Sequence, residues 1–352
     1  MGIDANPASC FAARVKTNWS LQGWRLKELL EEVDRKQQRS LRYRHLSDPT
    51  FEYLLLSGMI KRGWISREPL RKAIAIKSSI HGLATSRPYR DALLLALLSE
   101  VIQGASNVKF GPELYCAKKK RNADVFGGFE VRVEQFASDL KKVSSLTAGD
   151  IHVFEGDSRR CYEVLKDRMN IRYDAAICSP PYPTEHDYTR NSRLELVMLE
   201  NVLNRADLRA IKEQMIRSHT KNIYKDDNDS SFVKEHPTIK QLVQKLERKT
   251  KGVEHGFGRL YSTVILEYFG GMRRHLKSVH KLLKRGAKCA YVVGDQASYE
   301  GVHISTANIL ESIASEVGFE LCGIEHWRNR WSTSLSRRIS ENILVLQKSQ
   351  RK

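Results

Sequence analysis

Hydrophobic positions along this chain fall into two rhythms. Short apolar runs recur in the second half, at Ile151–Phe154, Ala175–Cys178, Cys289–Val293, Glu320–Ile324 and Asn342–Leu346. Runs of this length, bounded by turn residues, suit strands of a sheet buried on both faces. Cys178, Cys289 and Cys322 fall within these runs and read as small buried side chains. The second rhythm is helical. Over Thr263–Lys284, Val264, Ile265, Tyr268, Phe269, Met272, Leu276, Val279, Leu282 and Leu283 form one stripe, and Gly286 supplies a stop. Strands alternating with helices predict an α/β fold around a doubly wound, mostly parallel sheet.

The first half reads differently. Residues 1–18 look like a strand end entering a helix. Residues 19–146 are basic and mostly helical, with helices expected at Pro69–Ile80 and Tyr89–Gln103. That stretch is too long to be a simple connection between adjacent strands, so it reads as an inserted helical subdomain. Residues 147–352 hold the rest of the sheet, interrupted by a polar insertion at about 191–258 whose Lys221–Ser231 part reads as loop.

The run Ala175–Cys178 ends in Ser179-Pro180-Pro181-Tyr182. Neither proline can donate to a strand ladder, so the pair forces a stiff loop at the strand's carboxyl end. Ligands of open α/β sheets bind at that edge. The loop presents a hydroxyl, fixed carbonyls and an aromatic ring there.

Charge narrows the partner. Lys and Arg number 59 against 41 Asp and Glu, a net charge of +18. Such an excess favours a polyanion through counterion release. Basic residues are dense in Arg209–Lys225, Lys240–Lys251 and Arg273–Arg285, the last on the polar face of the long helix. The six cysteines form no C-x-x-C pair, so no zinc or other metal site is expected. No signal peptide or membrane-length apolar span is seen, and a reducing cytoplasm fits.

The order strand–Gly156-Asp157, strand–Ser179-Pro180-Pro181-Tyr182, helix, strand–Gly294-Asp295, strand, strand resembles the S-adenosylmethionine-dependent amino-methyltransferases of DNA. Met1–Pro7, Asn107–Glu113 and Asp187–Arg190 also resemble segments of modification methylases. The resemblance covers nearly the whole chain, most specifically Ile151–Lys348, and implies a Rossmann-like methyltransferase sheet. The serine form of the loop resembles the cytosine-N4 branch, whereas the adenine-N6 branch more often begins with Asp. By resemblance Ser179, Pro180, Pro181 and Tyr182 are catalytic. Asp4, Asn6 and Asp157 hold S-adenosylmethionine, Asp4 on the ribose and Asp157 on the adenine amine. Asp4 and Asp157 each have a second reading as a helix N-cap. Asp187, Tyr188 and Arg190 line the base pocket or meet a phosphate, with a plain surface loop as the alternative. Asp295 stays unassigned, and the 191–258 insertion leads the helical subdomain as the part that reads the target.

One family element has no counterpart. An F-x-G-x-G strand end should precede Asp4 by roughly 20 residues. Asp124–Phe129 is the nearest lookalike but lacks the G-x-G spacing and a convincing strand before it, and Gly256-Phe257-Gly258 reads better as a helix-start loop. The first strand is therefore expected from an upstream-encoded segment or subunit, or is lost, or the start is misplaced. Three functions follow: a DNA cytosine-N4 methyltransferase; an amino-methyltransferase acting on adenine N6 in DNA or a guanine amine in RNA; or a non-catalytic DNA-binding subunit of a split enzyme. Double-stranded DNA is the expected partner.

Overall fold

The computed structural model describes residues 1–42, 48–111, 114–167, 172–251, 258–297, 299–332 and 335–350. In chain order the first elements are β1 (Gly2–Asp4), α1 (Pro7–Lys16), α2 (Gly23–Leu41), α3 (Pro49–Leu56), α4 (Arg67–His81), α5 (Arg87–Glu100), β2 (Val108–Phe110), β3 (Leu114–Cys116), α6 (Val125–Val143) and β4 (Val153–Glu155). There follow α7 (Cys161–Leu165), β5 (Tyr173–Cys178), α8 (Tyr188–Asn191), α9 (Arg193–Met198), α10 (Arg205–Glu213), α11 (Pro237–Thr250), α12 (Tyr261–Leu282), β6 (Leu283–Gly294), α13 (Thr306–Val317), β7 (Phe319–Ser332) and β8 (Arg337–Lys348). The chain is a mixed α/β protein of two compact units. One comprises Met1–Glu155 and Thr189–Ile211, the other Gly156–Tyr188 and Lys212–Lys352.

The first unit is mostly helical. Its core is made by Leu26, Leu29, Ile74, Leu97 and Phe129, all fully buried on α2, α4, α5 and α6. β1 and β4 pair in parallel, Ile3 opposite Phe154. The strand end that enters a helix is present: Asn6 caps α1 by accepting from the Ala8 amide at 3.0 Å, with Pro7 in the first turn. The segment Asp124–Phe129 opens α6, where Asp124 is the N-cap and accepts from the Gly127 amide at 3.0 Å. Its glycines serve a helix start, since a Cβ on Gly127 would lie 2.3 Å from Asp124 Oδ2. Gly256 and Phe257 of the other lookalike lie outside the described residues. The expected helix from Tyr89 begins at Arg87 and widens into a π-turn at Val101–Ala105.

The second unit is built on a four-stranded sheet in the order β5-β6-β8-β7. β5 and β6 are parallel, and β8 is antiparallel to both β6 and β7. Only one of its three pairings is therefore parallel, because the short connection from β7 to β8 can join only antiparallel neighbours. α12 buries Tyr268, Phe269, Met272 and Leu276. α13 ends at Gly318, whose φ of 102° is the left-handed conformation glycine adopts without strain.

Four expectations are corrected here. Gly286 does not end the long helix; that helix stops at Leu282, and Gly286, with φ 74°, lies where β6 slips against β5. The run Ala175–Cys178 is not buried: among the described residues β5 pairs with β6 alone, and Ile177 is 85% exposed. Cys322 is exposed and Cys178 partly so, while Cys289 is buried as read. β7 is 14 residues long, not the five of its apolar run, because its polar half lies on an edge ribbon that demands no apolar alternation.

Lys221–Ser231 reads as loop and is irregular apart from two short 3₁₀ turns, at Thr220–Asn222 and Asp229–Phe232. It is nevertheless pinned. Buried Asp229 accepts from Arg159 at 2.7 Å and from Arg274, and its amide donates to Glu267 at 2.9 Å. No helix among the described residues is long and apolar enough to cross a membrane.

Candidate active site

β5 delivers the Ser179–Tyr182 loop in the second unit. Ser179 is exposed, Pro180 buried, and Pro181 and Tyr182 half-buried. The Tyr182 amide donates to the Tyr188 hydroxyl at 2.9 Å, and the Thr184 amide donates to the Tyr182 carbonyl at 2.7 Å. These bonds close the loop on itself, so its carbonyls are held without a strand partner.

The ring of Tyr182 meets the carboxyl end of β6. A Cβ on Gly294 would lie 2.9 Å from Tyr182 Cε2, so glycine there lets the ring approach the strand. The Arg330 guanidinium stands 5.7 Å from the ring centroid. Buried Glu341 holds Arg328 and lies 3.6 Å from Arg330. Arg330 also donates to the Asp295 carbonyl. Burial, and after it the charge of Glu341, pushes the Tyr182 hydroxyl up to about 12, so it stays protonated at neutral pH. Asp295 pairs with His303 at 3.2 Å and accepts from the Thr306 amide at 3.2 Å. Burial raises its pKa, against the pull of His303 and that amide.

The other sequence-derived residues have defined partners. Asp187 pairs with Lys212 at 2.7 Å, and His219 lies 3.8 Å from it. Burial drives His219 down to about 4, so the ring is neutral at pH 7. Tyr188 is the acceptor that holds Tyr182, and His186 meets its ring edge-on at 5.0 Å. Asp157 accepts from the Arg159 amide at 2.8 Å as an N-cap and from its guanidinium at 2.9 and 3.0 Å. All of these belong to the second unit.

Asp4, Asn6 and Arg190 belong to the first unit. Asp4 is exposed at the end of β1, and its Oδ1 accepts from the Asn6 amide at 2.8 Å. Burial of its surroundings raises its pKa, against the Asn6 and Ala5 amides. The Asn6 amide group donates to Ser192 at 2.8 Å. Arg190 is exposed and donates to the Leu114 carbonyl at 3.3 Å.

Sequence reading missed Arg330, Glu341 and Gly294 as a brace for the loop. Gly294 was visible as a strand end; nothing in the sequence couples Arg330 to a tyrosine almost 150 positions earlier.

No family model matches the chain. Over 169 residues it is 28% identical to the Type II methyltransferase M.AvaI of Nostoc sp. (strain PCC 7120 / SAG 25.82 / UTEX 2576), a stretch covering 46% of this chain and 34% of that protein. The same figures hold for the Type II methyltransferase M.AvaI of Anabaena variabilis. The chain thus spans about a third of the length of the curated relatives it matches, and it is their distant homologue.

Proposed function

We propose that this chain carries the catalytic loop of a DNA methyltransferase that moves a methyl group from S-adenosylmethionine to an exocyclic base amine, cytosine N4 in our specific reading. The observation that carries the reading is the braced Ser179–Tyr182 loop at the carboxyl end of a parallel strand. The likeness to the two Type II methyltransferases supports it, and the Rossmann-like arrangement is part of the same proposal.

A base amine is a weak nucleophile because its lone pair is delocalised into the ring. Acceptors of hydrogen bonds from its two N–H groups let the nitrogen pyramidalise, so that its N–C bond can form as the sulfonium S–C bond breaks. Ser179 Oγ and the Pro180 carbonyl are acceptors of that kind, and their rigidity spares reorganisation during reaction. Tyr182, protonated and half-buried, acts by stacking rather than as a base. Stacking of one base contributes roughly 1–3 kcal/mol, similar to the few kcal/mol needed to extrude it from the duplex.

The cofactor supplies an electrophilic methyl on a sulfonium. Asp4 fits a ribose, since it is an exposed residue at the end of β1 whose carboxylate the Asn6 amide orients through Oδ1. Asn6 orders that turn. Asp157 fits the adenine amine less well, because Arg159 already engages both carboxylate oxygens. Among the described residues β5 pairs on one edge alone, which supports a further strand supplied by another segment or subunit, since unpaired backbone groups at an edge are a template for strand addition.

Incubation with S-adenosylmethionine and duplex DNA, digestion to nucleosides and identification of the modified base test the reading. N4-methylcytosine is expected. N6-methyladenine would retain the enzyme class and move the target. DNA binding without methylation, even with the further strand supplied, would leave the scaffold reading.

A further inference from the structure

In the second unit β6 makes its last pair at Gly294, opposite Glu341. β7 and β8 run on past it, paired with each other from Asn329–Ser340 to Ser332–Arg337, with the Asp295 amide still donating to the Ser340 carbonyl at 2.9 Å. β5 and β6 are parallel, so the Ser179–Tyr182 loop and this ribbon leave the sheet on the same side.

The ribbon has two unlike faces. Strand alternation puts Arg328, Arg330, Ile339 and Glu341 on one face, and that face braces Tyr182. The other carries Asn329, Trp331, Ser340 and Arg338, with Trp331 directly opposite Arg338. Trp331 is 64% exposed. Trp327 occupies the unpaired position of a register shift and is 50% exposed, with the Arg328 guanidinium 4.4 Å from its ring centroid. Arg338 shares the Trp331 face, while Arg337, paired with Ser332, lies on the face of Arg328 and Arg330; both are exposed, and no ion pair holds either among the described residues. Two exposed tryptophans on a projecting ribbon contribute nothing to the core. Interleaved with uncompensated arginines, they fit a polyanion that also offers flat faces, which is a nucleic acid.

We propose that this β7–β8 ribbon is a DNA-contact surface beside the reacting base. Arg337 and Arg338 hold backbone phosphates, and Trp331 and Trp327 pack against sugars and bases. The position beside the base rests on the methyltransferase reading; the contact itself does not. The pinned Asp229 turn of the 191–258 insertion leaves that stretch less free to adapt to a duplex.

The test is fluorescence anisotropy of a labelled mixed-sequence DNA duplex with the full chain across a salt series. Each lost phosphate contact lowers the slope of log K against log salt by about 0.9, so Arg337→Gln/Arg338→Gln should lower it by about 2. Trp331→Ala should weaken binding about 5- to 100-fold with little change in slope, and adding DNA should quench tryptophan emission in the parent but less in that variant. All three substituted side chains are exposed, so thermal midpoints should not move. Lys166→Gln/Lys288→Gln removes the same charge elsewhere in the second unit, at two exposed positions, and should leave the slope nearly unchanged. An equal loss from both double variants would mean diffuse binding by net charge and would overturn the proposal. So would tighter competition by an RNA duplex, or a Trp331→Ala effect confined to self-association. Ribbon-dependent binding without methylation would sink only the catalytic reading; methylation with unaltered binding in the ribbon variants would sink only the ribbon.

Discussion

Tyr182 and Gly294 are packed so closely that a single added methyl at position 294 would lie 2.9 Å from the tyrosine ring. Arg330 Nε and Glu341 Cγ close the other sides at 3.3 Å. Gly294→Ala should therefore push the ring off the strand end and slow methyl transfer about tenfold, equivalent to about 1.4 kcal/mol in the barrier. A double-mutant cycle with Tyr182→Ala checks the route. If Gly294→Ala costs as much without the ring as with it, the contact is irrelevant to the reaction.

The Tyr188 hydroxyl accepts from the Tyr182 amide in a half-buried setting. Tyr188→Phe keeps the ring and removes the acceptor. An amide left without a partner costs roughly 1–3 kcal/mol. A drop of that size in unfolding free energy is expected, with methylation reduced more than DNA affinity. Unchanged stability together with unchanged turnover would show the loop is held by its prolines alone.

Gly270 separates two opposing expectations. In an ordinary helix interior Gly→Ala stabilises by about 1 kcal/mol. Here a Cβ would lie 1.9 Å from the Asp229 carbonyl oxygen and 2.4 Å from its carbon, backbone atoms that side-chain rotation cannot clear. Gly270→Ala should destabilise by roughly 2–4 kcal/mol, read from urea unfolding followed by fluorescence. A stabilised variant would mean the Asp229 turn does not pack on α12.

Glu195 lines a cavity of about 620 Å³ in the first unit, together with Ala8, Leu95, Arg132, Phe136 and Ser192. Its Oε2 is buried without a hydrogen-bond partner, and burial pushes the carboxyl up to about 7. The unfolded chain releases this proton near pH 4.3, the folded protein only near 7. Between those values the folded state binds more protons, so stability falls as pH rises and levels off above 7. Glu195→Gln should abolish that component. The difference between variant and parent should grow by at most roughly 3 kcal/mol from pH 4 to pH 8, at about 1.4 kcal/mol per pH unit. Parallel pH profiles would place the carboxylate in water or give it a partner.

Much of the local structure was legible because its causes are local. Two prolines end a strand wherever they stand, Asn6-Pro7 opens a helix, and the stripe from Val264 to Leu282 admits one helical face. Misreadings arose where a neighbour decides the outcome. Ala175–Cys178 reads as a buried strand, but its burial depends on what lies beside it, and β5 has one partner among the described residues. Gly286 looks like a helix stop because left-handed glycines serve both caps and strand irregularities.

Which residues form the loop, and why they cannot continue the strand, follows from the residues alone, since proline lacks a donor wherever it stands. What holds that loop follows from the fold. Arg330, Glu341 and Gly294 reach Tyr182 because β6, β7 and β8 bring separate stretches of chain to one sheet end. Contacts between residues more than a hundred positions apart are set by strand order and register, which no local pattern of apolar and polar positions encodes.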